Sequence, residues 1–439
     1  MREPQLSVGL IDRASVVRGV LHGRFECAGR ILDPGPFECV AGTSGVSCTV
    51  GGTGFESDEL TLTPIDGSPF TLSDVVIGVQ FHWQRAEPQT FPGSLRVRRR
   101  GDGSLVPINV IGLEEYLESV ISSEMSAASP IELLRAHAIT SRSWLVAMLE
   151  RETSAGGPTG WTASGSGGRE IVRWYTREDH DLFDVCADDH CQRYQGITRV
   201  VSPAVHAAVN DTRGVFLIHE GRVCDARFYK ACGGITEEFQ NSWEDVRVPY
   251  LGSISDAAEP FPALRTEHDV DAWVRTAPAA YCNTRDPAII RQILPSFDQE
   301  TLDFFRWTVS YDRSELEEII HGRSGIDVGR LKALVPLRRG PSGRLFSLRI
   351  VGSKETVTVG KELEIRRWLS RSHLYSGAFV VDTTRGSDGE PVRFTLHGGG
   401  WGHGVGLCQI GAAVMAVKGH ASDRILAHYF RGATLEKRY

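Results

Sequence analysis

Ser129-Pro130-Ile131-Glu132-Leu133-Leu134-Arg135-Ala136-His137-Ala138-Ile139-Thr140-Ser141-Arg142-Ser143-Trp144-Leu145-Val146-Ala147-Met148 is the stretch on which the fold turns. Leu134, Ala138, Ser141, Leu145 and Met148 recur at three- and four-residue steps, so on a helical period they share one face, and a helix with a buried stripe is predicted. Its start is marked by Ser129 as N-cap, Pro130 at the first helical position and Glu132 closing a capping box. The helical pattern covers Gly112 to Arg151, and Glu124 falls at the end of a preceding helix, a few residues before the Ser129 cap. Upstream, residues 5–110 are rich in Gly, Thr, Ser and Val, with short apolar runs such as Val75-Val76-Ile77-Gly78-Val79 and frequent turn signals.

A mixed α/β (α+β) fold follows, with a β-rich N-terminal part over residues 1–110, a core around the central helix over 111–259, a helical, charge-rich insertion over 260–330 and a C-terminal part over 331–439. Within the last part, Leu345 to Val351 reads as a strand and Glu362 to Leu369 as a helix. Two short helices close the chain, one ending near Gly419 and the next running from a Ser422 cap to Gly432. Thr153 to Arg169, dominated by Gly, Ser and Thr, offers little apolar surface against the entropy of ordering and is expected to be a mobile loop or lid, with Trp161 its one aromatic residue.

The 439 residues carry 48 Lys and Arg against 55 Asp and Glu, a net charge of -7, which gives no global attraction to nucleic acid or anionic lipid. The run Arg96-Val97-Arg98-Arg99-Arg100 before the turn Gly101-Asp102-Gly103-Ser104 reads as the exposed edge of a hairpin. No apolar stretch approaches the roughly 18–20 residues of a membrane span. Met1-Arg2-Glu3-Pro4 opens directly into a strand-like segment without an export signal.

Nine cysteines are an odd set, so at least one is a free thiol, a metal ligand or an intermolecular partner. Cys186 and Cys191 lie close to His180 and His190, a density of thiolates and imidazoles that suits tetrahedral zinc; a Cys186–Cys191 disulfide and two free thiols are the alternatives. Pairing of Cys27, Cys39, Cys48, Cys224 and Cys232 is left open. In Gly398-Gly399-Gly400-Trp401-Gly402-His403-Gly404-Val405-Gly406, glycine occupies every even position. If extended, one face is bare and Trp401 and His403 share the other, ready to stack on a sugar and bond its hydroxyls; a purely structural bend is the alternative. Arg135 and Arg142, seven residues apart, project from one side of the central helix, either as surface ion pairs or as carboxylate binders.

From spacing alone Glu124 is a solvated helix-end carboxylate. Yet Leu113-Glu114-Glu115-Tyr116-Leu117, Ser123-Glu124-Met125, Leu133-Leu134-Arg135-Ala136-His137-Ala138 and Ser141-Arg142-Ser143-Trp144 together resemble the signature of the sporulation-protein-D (SpoIID/LytB) family of peptidoglycan lytic transglycosylases. Ala226 to Thr236, Val248-Pro249-Tyr250-Leu251 and Gly402 to Ala412 are similar to further elements of that family, so the resemblance spans about 110 to 435. Leu407-Cys408 stands where Met-Ser is usual, Ser126 where a Pro follows the Glu-Met pair, and Ser-Trp after Arg142 where Thr-Tyr is common.

The resemblance implies cleavage between N-acetylmuramic acid and N-acetylglucosamine by the sugar's own 6-hydroxyl, leaving a 1,6-anhydro end. Glu124 would serve as acid and then base, and for that role it should be held protonated by burial. Tyr229, Lys230, Trp401 and His403 are the accompanying substrate-binding candidates with Arg135 and Arg142, around a glycan-binding cleft. The resemblance further implies a structural zinc, an envelope location and a possible partner amidase. A non-catalytic glycan-binding amidase activator is the competing expectation.

Overall fold

The computed structural model describes residues 2–43, 45–77, 85–150, 159–165, 168–175, 180–188, 191–200, 202–294 and 303–439. The architecture is mixed α/β, as the alternation of patterns predicts. In the N-terminal part, Gln5–Gly9, Leu105–Gly112, Ser94–Arg99 and Glu59–Pro64 lie side by side in one sheet, and Phe70–Ile77, Val16–Leu21 and Gly35–Ala41 in a second. Along Val16–Leu21 the residues alternate buried and exposed, Val17 and Leu21 facing inward and Arg18 outward, the period a half-covered strand requires. Residues 78 and 79 of the apolar run lie outside the described residues.

The arginine run is not an edge. Ser94–Arg99 is paired on both sides, with Leu105–Gly112 and with Glu59–Pro64, and Glu59 lies 3.3 Å from Arg96 and 2.9 Å from Arg98. Glu59 thus serves two of the four arginines from within the sheet, and Arg100, beyond the strand, pairs with Asp12 and Asp181.

Two helices follow, α1 (Leu113–Glu124) and α2 (Ile131–Leu149). All five residues of the predicted stripe are buried, and α2 is apolar on more than one side: Leu134, Ala138 and Leu145 pack with the N-terminal sheets, whereas Leu133, Ala136 and Ile139 pack with the C-terminal helices. The capping box does not form. Pro130 is the N-cap, the buried Ser129 hydroxyl has no partner among the described residues, and Glu132 instead accepts the Ser422 N–H at 2.7 Å and pairs with Arg135. A tertiary contact has taken the carboxylate that the local motif needs.

Two further expectations are corrected. Thr159–Gly165 and Gly168–Trp174 form an antiparallel hairpin, the second strand running parallel to Thr356–Gly360, so this part of the expected loop belongs to a sheet; residues 153–158 and 166–167 lie outside the described residues. The stretch over 260–330 contains helices Glu267–Arg275, Pro287–Ile293 and Arg313–Ser324, but also the strand Arg306–Asp312, which pairs antiparallel with Pro391–Gly399. It is woven into the C-terminal sheet rather than inserted beside it. The other elements of the C-terminal part form as read, with Leu345–Gly352 a strand and Glu362–Trp368, Gln409–Val417 and Ser422–Tyr429 helices, except that Ala421 rather than Ser422 is the N-cap of the last helix, which ends at Tyr429 short of Gly432.

Candidate functional site

Glu124 is the last residue of α1, half-buried, and the chain leaves it extended through Met125. Its neighbours come from a segment that crosses α1. Val185–Cys186 runs parallel to Gln5–Gly9 at the edge of the N-terminal sheet, and beyond it three residues are tied down. The Gln192 amide donates to Ser141 O (3.2 Å), the Tyr194 hydroxyl to Asn109 Oδ1 (2.6 Å) and the Gln195 N–H to Ser119 Oγ (3.0 Å). Held between them, the Arg193 N–H donates to Glu124 Oε1 at 2.9 Å. The carboxylate is therefore oriented by a backbone group whose place is fixed on both sides.

The same segment carries the expected metal site. Ligand atoms of His180, Cys186 and Cys191 all lie within 4.8 Å of one another, with His180 Nε2 3.4 Å from Cys191 Sγ. This donor set suits a metal ion. His190, the fourth expected ligand, lies outside the described residues. Tyr116 is stacked on Tyr194 with ring centres 5.0 Å apart, and its phenol is pushed well up by burial and, to a lesser extent, by Cys191, Cys186, Tyr194 and Glu124.

On the other side of Glu124 is Lys230, whose ammonium donates to the Glu124 carbonyl at 3.4 Å. Lys230 follows the short strand Phe228–Tyr229, which runs parallel to Leu407–Cys408. Ala231 and Trp401 exchange backbone hydrogen bonds of 3.0 and 2.7 Å, so the glycine-rich run is laced to the residue after Lys230. Glu124, Lys230 and Trp401 thus belong to one continuous region.

The glycine-rich run itself is not extended. Its strand ends at Gly399, and Gly400, Gly402, Gly404 and Gly406 all have φ between +79° and +101°, a region L side chains avoid. Each also meets another part of the chain: a Cβ on Gly406 would lie 2.2 Å from Arg227 O, and one on Gly402 2.8 Å from the Tyr229 side chain. Trp401 and His403 consequently meet different rings. Trp401 stacks on Phe304 at 5.2 Å, while His403 packs edge-on against Tyr229 and Trp243. His403 Nδ1 accepts the Val405 N–H and Nε2 donates to Phe228 O, each at 3.1 Å. Those partners fix one neutral tautomer, and burial holds the imidazole well below its ordinary range. His403 borders a small crevice with Tyr175, Trp243 and Arg366.

The remaining candidates lie elsewhere. Arg135 and Arg142 do share a side of α2, but helix α3 (Pro203–Asp211) and the turn after it cover that side. Arg135 bonds Asp211 at 3.2 Å through Nε and pairs with Glu132. Arg142 is fully buried, bonded to Glu114 at 3.0 and 2.6 Å and to Val215 O at 3.1 Å. A fully buried guanidinium cannot meet a glycan, so Arg142 is part of the core and Arg135 part of a surface ion-pair group. Tyr229 is buried as well, and its hydroxyl has no hydrogen-bond partner among the described residues.

One group was not foreseen from the sequence. Cys232, Asp256, Cys282 and Cys408, all buried, converge with their ligand atoms within 4.8 Å of one another. The only hint was the Cys at 408 in place of Ser, because the four residues come from four separate segments.

Residues 101–219 match the Stage II sporulation protein family, and residues 237–406 a domain of unknown function. Stage II sporulation protein D of Bacillus amyloliquefaciens is 24% identical over 354 residues, covering 80% of this chain and 82% of the relative. The protein of the same name from Bacillus subtilis is 22% identical over 348 residues, covering 79% of this chain and 80% of the relative. The amidase enhancer of Bacillus subtilis is 21% identical over 325 residues, 73% of this chain but 40% of the relative. No described helix is long and apolar enough to cross a membrane.

Proposed function

Because the chain belongs to the stage II sporulation protein (SpoIID) family, we propose that it acts on the bacterial cell wall as a lytic transglycosylase. Its substrate is a peptidoglycan glycan strand stripped of stem peptides. The observation that carries this reading is the placement of Glu124: a half-buried carboxylate at a helix end, held by the Arg193 N–H, with the Lys230 ammonium on its backbone carbonyl. One carboxyl suffices for an intramolecular transfer. Protonated Glu124 gives its proton to the glycosidic oxygen as that bond breaks; the resulting carboxylate takes the proton of the muramic 6-hydroxyl as its oxygen bonds to C1. Lys230 and Trp401 line the approach, one offering a cation to the lactyl carboxylate and the other an aromatic face to a sugar ring. Incubation with denuded strands and mass analysis of the products tests the reaction, which must yield 1,6-anhydro ends.

A second reading has its own support in the amidase enhancer among the relatives. A binding protein that stimulates an amidase retains strands without shortening them, so the same incubation separates the two.

His180, Cys186 and Cys191 fit a zinc ion, which when bound cross-links the loop and supplies charge to its thiolates. Their role is to order the loop that presents the Arg193 N–H to Glu124. Cys186→Ser is therefore expected to lose one metal equivalent and to lower cleavage by about 10–100-fold, the range for losing outer support of a site. Elemental analysis and product counting check this. Unchanged metal content, or a Cys186–Cys191 disulfide in the parent protein, removes the site.

A further inference from the structure

We propose that Cys232, Cys282, Cys408 and Asp256 form a second, mononuclear zinc site, buried and separate from the cluster at His180, Cys186 and Cys191. The four donor atoms lie within 4.8 Å of one another, and Cys232 Sγ is 3.4 Å from Cys282 Sγ. Tetrahedral zinc with Zn–S bonds near 2.3 Å needs sulfur–sulfur edges of roughly 3.8 Å, so small adjustments close the shell. Donors this tightly grouped leave no room for the several irons and sulfides of a cluster.

The surroundings are built for charged sulfur. The Gly234 N–H donates to Cys232 Sγ at 3.3 Å, the Cys232 N–H to Cys408 Sγ at 3.3 Å and the Gly411 N–H to Cys408 Sγ at 3.4 Å. Cys408 is the N-cap of helix Gln409–Val417, where a thiolate is favoured by the helix end. Gly233 and Gly234, at φ +80° and +110°, give the backbone the bend that aims these amides. Asp256 is oriented from both oxygens, by the Tyr429 hydroxyl at 2.6 Å and the Cys282 N–H at 2.9 Å. Gly411 must be glycine here, since a Cβ would lie 2.4 Å from Asp256 Oδ1.

A divalent ion at this position would ionise the three thiols and balance their charge and that of Asp256 inside the buried shell. The buried guanidinium of Arg344 and the half-buried one of Arg306, bonded to the carbonyls of Cys232 (3.1 Å) and Gly233 (2.9 Å), offset the remaining negative charge. A Cys232–Cys282 disulfide accounts for only two of the four converging groups and leaves Cys408 and Asp256 unexplained. Zinc employs all four.

The site fastens the segment from Asp256 to Leu294 onto the core. That segment matters to Glu124, because Ile293 O accepts the Ser126 N–H at 3.0 Å, two residues after the glutamate.

The experiment is a metal count on the full-length chain purified without chelator, for the parent protein, Cys186→Ser/Cys191→Ser and Cys232→Ser/Cys282→Ser. Two zinc ions in the parent, or one that survives Cys186→Ser/Cys191→Ser, supports the second site. No zinc, or a single ion lost with that pair, overturns it, as does a Cys232–Cys282 disulfide found by mass spectrometry of unreduced protein. If either variant fails to fold, cobalt(II) exchanged into the parent protein decides: five thiolate ligands give a markedly stronger near-ultraviolet charge-transfer band than the two of the first cluster alone. A band of two-thiolate strength rejects the proposal.

Discussion

Glu124→Gln is expected to lower the release of anhydro-ended products by at least about a hundredfold while leaving melting and strand retention unchanged, the lower range for losing a positioned acid/base. Glutamine keeps the oxygen that accepts the Arg193 N–H, so the loop over α1 stays in place. What it cannot do is give a proton to the leaving oxygen and recover one from the 6-hydroxyl. Glu115→Gln and Glu118→Gln are the controls. Glu118 is 2.8 Å from His206 and Glu115 is pushed upward by desolvation, then by Glu118 and Glu3, so both carboxyls are coupled to other charged groups. Cleavage at the parental rate by Glu124→Gln, with loss in Glu118→Gln, would show that the wrong carboxyl has been chosen. Unshortened strands with the parent protein itself leave the amidase-activator reading standing.

The second large effect is one of stability. Arg142 and Glu114 are both buried and doubly bonded to each other, and Glu114 also receives the Gly214 N–H at 3.2 Å and the Tyr439 hydroxyl at 2.6 Å. Arg142→Met strands the Glu114 carboxylate in the core, which costs about 3–5 kcal/mol when one partner of a buried pair is removed. Glu114→Leu/Arg142→Met removes both charges and is expected to restore most of the loss. Denaturant midpoints of the two variants measure the difference. A substrate role for Arg142 predicts the reverse pattern, with parental stability and weakened strand binding.

What the sequence revealed divides by range. The stripe of α2 was legible because a helical period depends only on residues a few positions apart, and all five members are buried. The capping box failed because Ser422, 290 positions away, takes Glu132. Arg135 and Arg142 were placed on the right side of their helix, but nothing in their spacing tells that α3 covers it. The alternating glycines were seen, yet whether such a run lies extended or takes positive φ at every second residue is set by what it passes: Ala231, Tyr229, Arg344 and Arg227. Cys186 and Cys191 stood out as neighbours in the chain. Cys232, Cys282 and Cys408 become neighbours only once the strand, the 256–294 segment and the last helices have docked.

That dependence on distant partners also sets an order in time. Gln5–Gly9 is paired with Val185–Cys186, Gly168–Trp174 with Thr356–Gly360, and Val215–His219 with Thr434–Lys437. Loops of that length must close before their contacts return any stability, which makes folding slow. During synthesis at about 5–20 residues per second, the strand that meets Thr434–Lys437 waits for its partner until roughly 200 further residues have emerged. Throughout that interval the face of α2 that packs with the C-terminal helices, at Leu133, Ala136 and Ile139, stands open and exposes the nascent chain to misassembly.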